Sequence, residues 1–173
     1  MERVNQIINH TLYKKYLAEI KKLEQNRIFC RHDMSHFLDV CRIAEIEWLN
    51  YRLLNEKDVT DGCHKQYDVM RRLIYATGLL HDIGRWQEYE SGISHEVASS
   101  ALAGPILEEC GFEEEDIEAI LTAIGNHRNK AVKDENNLSG FIYRADKKSR
   151  ACFACEAEAE CDWSKDKKNM KVI

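Results

Sequence analysis

Seven histidines are spread over the 173 residues, and at four of them an apolar helical face would otherwise continue. His36 stands one helical turn before Val40 and two before Ala44, which aims its imidazole to the inward side. The pair His81-Asp82 follows directly on the nearly unbroken apolar run from Ala76 to Leu80. His127 extends the stripe Ile117, Ile120, Ile124, and His95 lies one turn before Ser99 and two before Leu102 and Ala103. Asp146 repeats the pattern after Ile142. A single inward imidazole is ordinarily a hydrogen-bonded core residue, but here that explanation has to be repeated at every position. An ionised carboxylate on a core-facing position is costly unless it is paired or bound to a metal. Together these positions point to a shared buried cation. Mixed nitrogen and oxygen donors suit Mn²⁺, Fe²⁺, Zn²⁺ or in part Mg²⁺, in a hydrolytic or oxygen-type centre.

The elements that must hold these groups are helical. One proline, eight glycines and apolar residues spaced three and four apart predict an all-α, compact bundle of about six helices within one domain spanning 1–173. A first helix is expected over most of 3–26, with Val4, Ile8, Leu12, Tyr16, Leu17, Ile20 and Leu23 on one face. A second, over about 33–54, turns Phe37, Val40, Ile43, Ala44, Ile46 and Trp48 inward, and Asn55 to Gly62 reads as a polar connection. A third, over about 65–80, has a buried end. Gly84 and Glu90-Ser91-Gly92 mark a loop, and Ser94 is placed to cap a helix that Cys110-Gly111 stops and Pro105 is expected to kink. Glu113 to Asp116 suits the positive end of the next helix, and a final one is expected around 138–151. The tail from Cys152 onward is charged, and Lys165 to Lys171 are expected to be mobile.

The order His36, His81-Asp82, Asp146 resembles the H…HD…D signature of the HD-domain metal-dependent phosphohydrolases. The run from His36 to Ala44 is similar to that family's first histidine helix, and Leu79-Leu80-His81-Asp82-Ile83-Gly84 to its central turn. His95 and His127 fall between the HD pair and the last aspartate, as in the branch whose extra histidines hold a second metal. The similarity covers about 31–150 and leaves 151–173 as a Cys-bearing tail. No Gly-Tyr-Pro follows the HD turn, a departure from the cyclic-dinucleotide branch.

The resemblance implies an HD-type bundle in which His36, His81, Asp82 and Asp146 ligate one metal, and Asp82 bridges to a second held by His95 and His127. One or two divalent ions per chain (Fe, Mn, Zn or Mg) would then be the cofactor, with His81 and Asp82 at the catalytic centre. Two cations about 3.5–4 Å apart acidify a shared water and place the hydroxide against phosphorus. Basic side chains near the ligands would complete a phosphate clamp, and the candidates are Arg31, Arg85, Arg128, Lys130, Lys147 and Arg150. Each could equally be a solvated surface charge. His32, one turn before His36, could contact substrate phosphate or carry a proton, or simply start a helix. His10 and His64 read as structural or exposed.

Cys152-x₂-Cys155-x₅-Cys161 offers three thiolates, with Cys30 as the conceivable fourth ligand of a structural Zn²⁺. Reduced, partly buried thiols are the preferred reading, since seven cysteines without a secretory signal do not suggest a disulfide framework. The opening Met1-Glu2-Arg3-Val4-Asn5 lacks an apolar export stretch, so a cytoplasmic location is expected, without membrane partners. Lys+Arg 25 against Asp+Glu 30 gives a net charge of −5, which disfavours broad nucleic-acid binding but not a small anion in a basic cleft. The leading reading is hydrolysis of a small phosphate ester, a nucleotide or dinucleotide polyphosphate. A di-iron oxygenase and a non-catalytic nucleotide- or metal-binding module are the alternatives, and the oligomeric state is left open.

Overall fold

Apolar residues recurring at helical spacing account for every long element of the computed structural model, which describes residues 1–55 and 63–172. The helices are α1 (Glu2–Asn9), α2 (Thr11–Leu23), α3 (Met34–Asn55), α4 (Cys63–Leu80), α5 (Arg85–Ser91), α6 (His95–Glu109), α7 (Glu114–Asn126) and α8 (Leu138–Lys148). Short 3₁₀ turns cover Lys130–Val132, Cys152–Ala154 and Glu158–Glu160, and there is no strand among the described residues. The all-α bundle expected from the sequence is therefore what the chain forms. None of these helices is long and apolar enough to cross a membrane.

Helix α3 buries Phe37, Val40, Cys41, Ala44 and Trp48 along one stripe and packs on α4 and α8. On its other side α4 meets α1 and α7, and α6 lies along α7. Two apolar clusters result. One joins Ile7, Tyr13, Phe37, Leu80, Ile106 and Ile120, and the other Val40, Trp48, Ile74, Phe141 and Ile142. Both draw on α3 and α4, so these two helices form the frame to which the other elements are fixed.

Several boundaries differ from expectation. The single helix over 3–26 is two helices, because His10 adopts extended backbone (ψ 136°) and its Nδ1 accepts from the Leu12 amide at 3.2 Å. Its Nε2 meets Glu109 at 2.9 Å, so His10 serves as a cap tied to α6. Helix α5 replaces a predicted loop. It buries none of its residues, and Gly92 ends it at φ 74°. Ser94 occupies the cap position of α6 without a side-chain bond, and α8 stops at Lys148 rather than 151. Ile8, Leu23 and Ile46, placed inward by periodicity, are exposed. The connection over 56–62 and the side chains of Cys63 and His64 lie outside the described residues.

The stop after α6 is as predicted. Gly111 takes φ 73°, its amide bonds Glu108 and the Phe112 amide bonds Leu107, so the orphan carbonyls of the last turn are satisfied. The tail, expected to be mobile over Lys165 to Lys171, makes one hydrogen bond to α8 and others within itself. Asn169 Nδ2 donates to the Lys148 carbonyl at 2.9 Å, Phe153 N to the Asn169 carbonyl at 3.3 Å, and Lys168 pairs with Glu158 at 2.7 Å.

Candidate metal centre

Each chemically distinctive side chain sits at a helix end or in its first or last turn. Asp33 Oδ1 accepts from the His36 amide at 3.1 Å, which starts α3 and holds His36 in its first turn. His81 and Asp82 lie in the turn that ends α4. That turn packs directly on α6, because a Cβ at Gly84 would come within 2.3 Å of the Ser99 nitrogen, and the Gly84 amide instead donates to Ser99 Oγ at 2.9 Å. His95 is the first residue of α6, His127 closes α7, and Asp146 projects from α8, which Asn137 caps.

These six residues converge in two groups that share Asp82. His36 Nε2 lies 3.5 Å from both Asp82 Oδ2 and Asp146 Oδ1, and His81 Nε2 lies 3.2 and 3.8 Å from the same two atoms. On the other oxygen of Asp82, Oδ1, His95 Nε2 approaches to 3.2 Å and His127 Nε2 to 3.5 Å. Those two ring nitrogens face each other at 3.2 Å. Ligands each about 2.1 Å from one ion lie about 3.0–3.4 Å apart across tetrahedral or octahedral angles, close to this spacing.

The hydrogen bonds behind the rings set the tautomers. His81 Nδ1 donates to the Gly78 carbonyl at 2.8 Å and His127 Nδ1 to the Ile124 carbonyl at 2.7 Å. Ser149 gives its hydroxyl proton to the Asp146 carbonyl and so accepts from His36 Nδ1 at 3.1 Å. His95 Nδ1 meets Glu88 Oε2 at 2.6 Å. Behind His36, His81 and His127 the acceptor fixes Nδ1 as a protonated nitrogen and turns Nε2 inward, whereas His95 Nδ1 lies 2.6 Å from both Glu88 Oε2 and Arg85 Nη1. Buried His36 Nε2, His81 Nε2 and Asp82 Oδ1 have no hydrogen-bond partner. Unpartnered, inward-facing nitrogen and carboxylate atoms fit divalent cations.

The charges are balanced to keep the carboxylates ionised. Burial pushes both carboxyls up. The charges of His81 and His32 beside Asp82, and of Arg150 and Lys147 beside Asp146, prevail and hold both well below the usual range. Burial takes His36 and His95 down to about 4, leaving them neutral and able to ligate. Burial also opposes a charge on His81, but Asp82 and Asp146 overcome it and raise that imidazole to about 10. A cation held by the two carboxylates competes directly with that proton.

A cleft of about 230 Å³ opens on the centre and exposes Asp82, His95 and Asp146 to it. Of the basic residues proposed from sequence, Arg85, Arg128, Lys147 and Arg150 line this cleft. Arg31 does not. Its guanidinium is exposed and turned back onto the Arg27 and Gln25 carbonyls, because the chain has left α2 and not yet entered α3. Lys130 sits exposed at the first position of a 3₁₀ turn and also lies outside the lining. Arg150 donates to Asp146 Oδ1 at 3.1 Å and Lys147 to Oδ2 at 2.5 Å. His32 is buried beside the centre, with Nε2 3.7 Å from Asp82 Oδ2. Its Nδ1 is hydrogen-bonded to Glu24, which also accepts from Tyr89 at 2.6 Å.

The sequence reading missed Glu24 and Glu88, which orient His32 and His95. Neither is on an apolar stripe, and Glu88 belongs to a helix taken for a loop. The four cysteines considered for zinc do not lie in one close-set group among the described residues. Neither close-set ligand group among the described residues includes a thiol. Cys30, Cys152 and Cys161 line the cleft with Arg150 beside Cys30, whereas Cys155 lines a different surface hollow with Asn26 and Ile28.

Residues 33–151 match the HD domain, a span that contains all six converging side chains. Over 172 residues, 99% of both chains, the protein is 42% identical to an uncharacterized protein of Clostridium beijerinckii. No solved structure matches it. A matched span covering most of the chain, an all-α bundle and a buried histidine–aspartate centre built on the HD turn agree, and the chain belongs to the HD-domain family.

Proposed function

We propose that this protein is a metal-dependent phosphohydrolase that cleaves a small phosphate ester of the nucleotide class. The observation that carries this reading is Asp82, whose two carboxylate oxygens face two separate histidine groups at the base of a cleft walled by Arg85, Arg128, Lys147 and Arg150. His36, His81, Asp82 and Asp146 would hold one divalent ion, and Asp82, His95 and His127 a second. Such ions supply Lewis-acid polarisation of phosphoryl oxygens and acidify water.

The chain's own residues do the rest. Hydrolysis joins a water oxygen to phosphorus and breaks the phosphorus–oxygen bond to the alcohol, which leaves with a proton. Arg150 and Lys147, already anchored on Asp146, place positive charge where the phosphoryl oxygens gain negative charge. His32, held by Glu24 with its Nε2 toward the cleft, is placed to carry the proton. Glu88 and Arg85 both hold His95 at Nδ1, which leaves its Nε2 toward Asp82.

The test is phosphate release from nucleoside mono-, di- and triphosphates with Mn²⁺, Mg²⁺ or Fe²⁺, before and after chelation. Metal-dependent release of phosphate or pyrophosphate is expected, abolished by chelator and restored by the ion. Recovery of every nucleotide intact would favour a binding module, and iron-dependent oxygen consumption would favour an oxidase.

A further inference from the structure

Two segments outside the matched HD domain also enter the cleft. The link between α2 and α3 contributes Arg27, Phe29 and Cys30, and the tail contributes Cys161, Asp162 and Trp163. Neither segment supplies a residue to the two ligand groups, so the metal centre does not account for them. Each brings one aromatic ring that is only partly buried, and each ring has a guanidinium over it. Arg150 lies 5.2 Å from the centre of the Trp163 ring, and Arg27 lies 5.9 Å from that of Phe29.

Arg150 gives the scale. The same guanidinium that contacts Trp163 donates to Asp146 Oδ1 at 3.1 Å, and its buried Nε has no hydrogen-bond partner. Trp163 is therefore one guanidinium away from a residue of the metal centre. A phosphate bound by Arg150 would have the Trp163 ring beside it in the same cleft. The cleft, about 230 Å³, is smaller than the roughly 300 Å³ at which pockets for drug-sized ligands begin. That size favours one phosphate with one organic group over a dinucleotide polyphosphate. A flat ring would pack on the sides of Phe29 and Trp163 that Arg27 and Arg150 leave open, and Asp162 offers an acceptor for ring amino or imino hydrogens.

We infer that Phe29 and Trp163 form a subsite for a planar ring, so that the substrate is a nucleoside monophosphate or a similar compact ring-bearing monoester. This rests on the phosphohydrolase reading for its chemistry, though not for its binding.

The experiment compares adenosine 5′-monophosphate with glycerol 3-phosphate, in the metal-loaded full chain, as wild type, Trp163→Leu and Trp163→Phe. The ratio of kcat/KM for the two esters is expected to favour the nucleotide in wild type and to fall about ten-fold in Trp163→Leu. Trp163→Phe is expected to keep most of it, since a ring remains. A wild-type ratio near one, or a ratio unchanged in Trp163→Leu, overturns the subsite even if both esters are hydrolysed. If neither ester turns over, the hydrolase reading fails, and calorimetric affinity for adenosine 5′-monophosphate decides the subsite alone. An about ten-fold weaker Kd in Trp163→Leu supports it, and equal affinities or no binding to wild type overturn it.

Discussion

Asp82 is the residue through which the two halves of the centre communicate, but its neighbours decide whether it can serve a metal. Three of the four converging imidazoles present Nε2 because something behind the ring accepts the Nδ1 proton: a backbone carbonyl for His81 and His127, and the Ser149 hydroxyl for His36, while His95 Nδ1 sits between Glu88 and Arg85. Ser149→Ala therefore leaves His36 free to adopt the other tautomer. Metal affinity should fall about 10–100-fold, measured by competition with a fluorescent chelator, and unchanged affinity would show that packing alone orients the ring. At this scale the sequence was informative where an unusual residue type interrupted an apolar stripe, as at His36, His127 and Asp146. It was silent on Ser149, Glu24 and Glu88, because one polar residue among many on a charged chain carries no signal until the fold brings it to a ring nitrogen.

At the scale of elements, the Glu24–His32–Tyr89 cluster joins the end of α2, the link to α3 and helix α5. Glu24 is 3% exposed, accepts from the His32 amide at 2.7 Å and from the Tyr89 hydroxyl at 2.6 Å, and is bonded to the His32 ring. Burial pushes its carboxyl up, but these bonds and the charge of His32 outweigh it and bring it down to about 2. A depressed carboxyl stabilises the fold above its unfolded value near 4.5, and the contribution is lost as pH falls from there through about 2. Glu24→Gln should cost on the order of 2–3 kcal/mol at pH 7 and flatten the acid limb between those values. Denaturant unfolding of the chelated protein at a series of pH values measures this, and a difference between the variants that did not shrink toward pH 2 would contradict it. The long helices could be read from periodicity to within a few residues. Helix α5 could not, having no buried residue to set a period, and neither could the break at His10, where a histidine takes a capping role usually held by Ser, Thr, Asp or Asn.

The whole molecule carries a net charge of −5, yet its cleft gathers Arg27, Arg85, Arg128, Lys147 and Arg150 against Asp82, Asp146 and Asp162. Divalent ions would add to that local positive field, which draws a small anion to the centre while the outer surface repels a polyanion. The tail shows how the parts outside the HD match were only partly legible. Its cysteines stood out by spacing, whereas Trp163 had no pattern around it, yet Cys152, Cys161 and Trp163 all line the cleft. Tertiary placement, which the hydrogen bonds from Asn169 and Lys168 secure, gives Trp163 its position.

If Asp82 joins two cations in this fold, removing it releases both. Elemental mass spectrometry of metal per chain, on wild type and Asp82→Ala purified without an affinity-tag metal, tests it directly. Wild type should carry about two equivalents of Mn, Fe or Zn and the variant should lose both. Equal metal content in the two proteins would contradict the account.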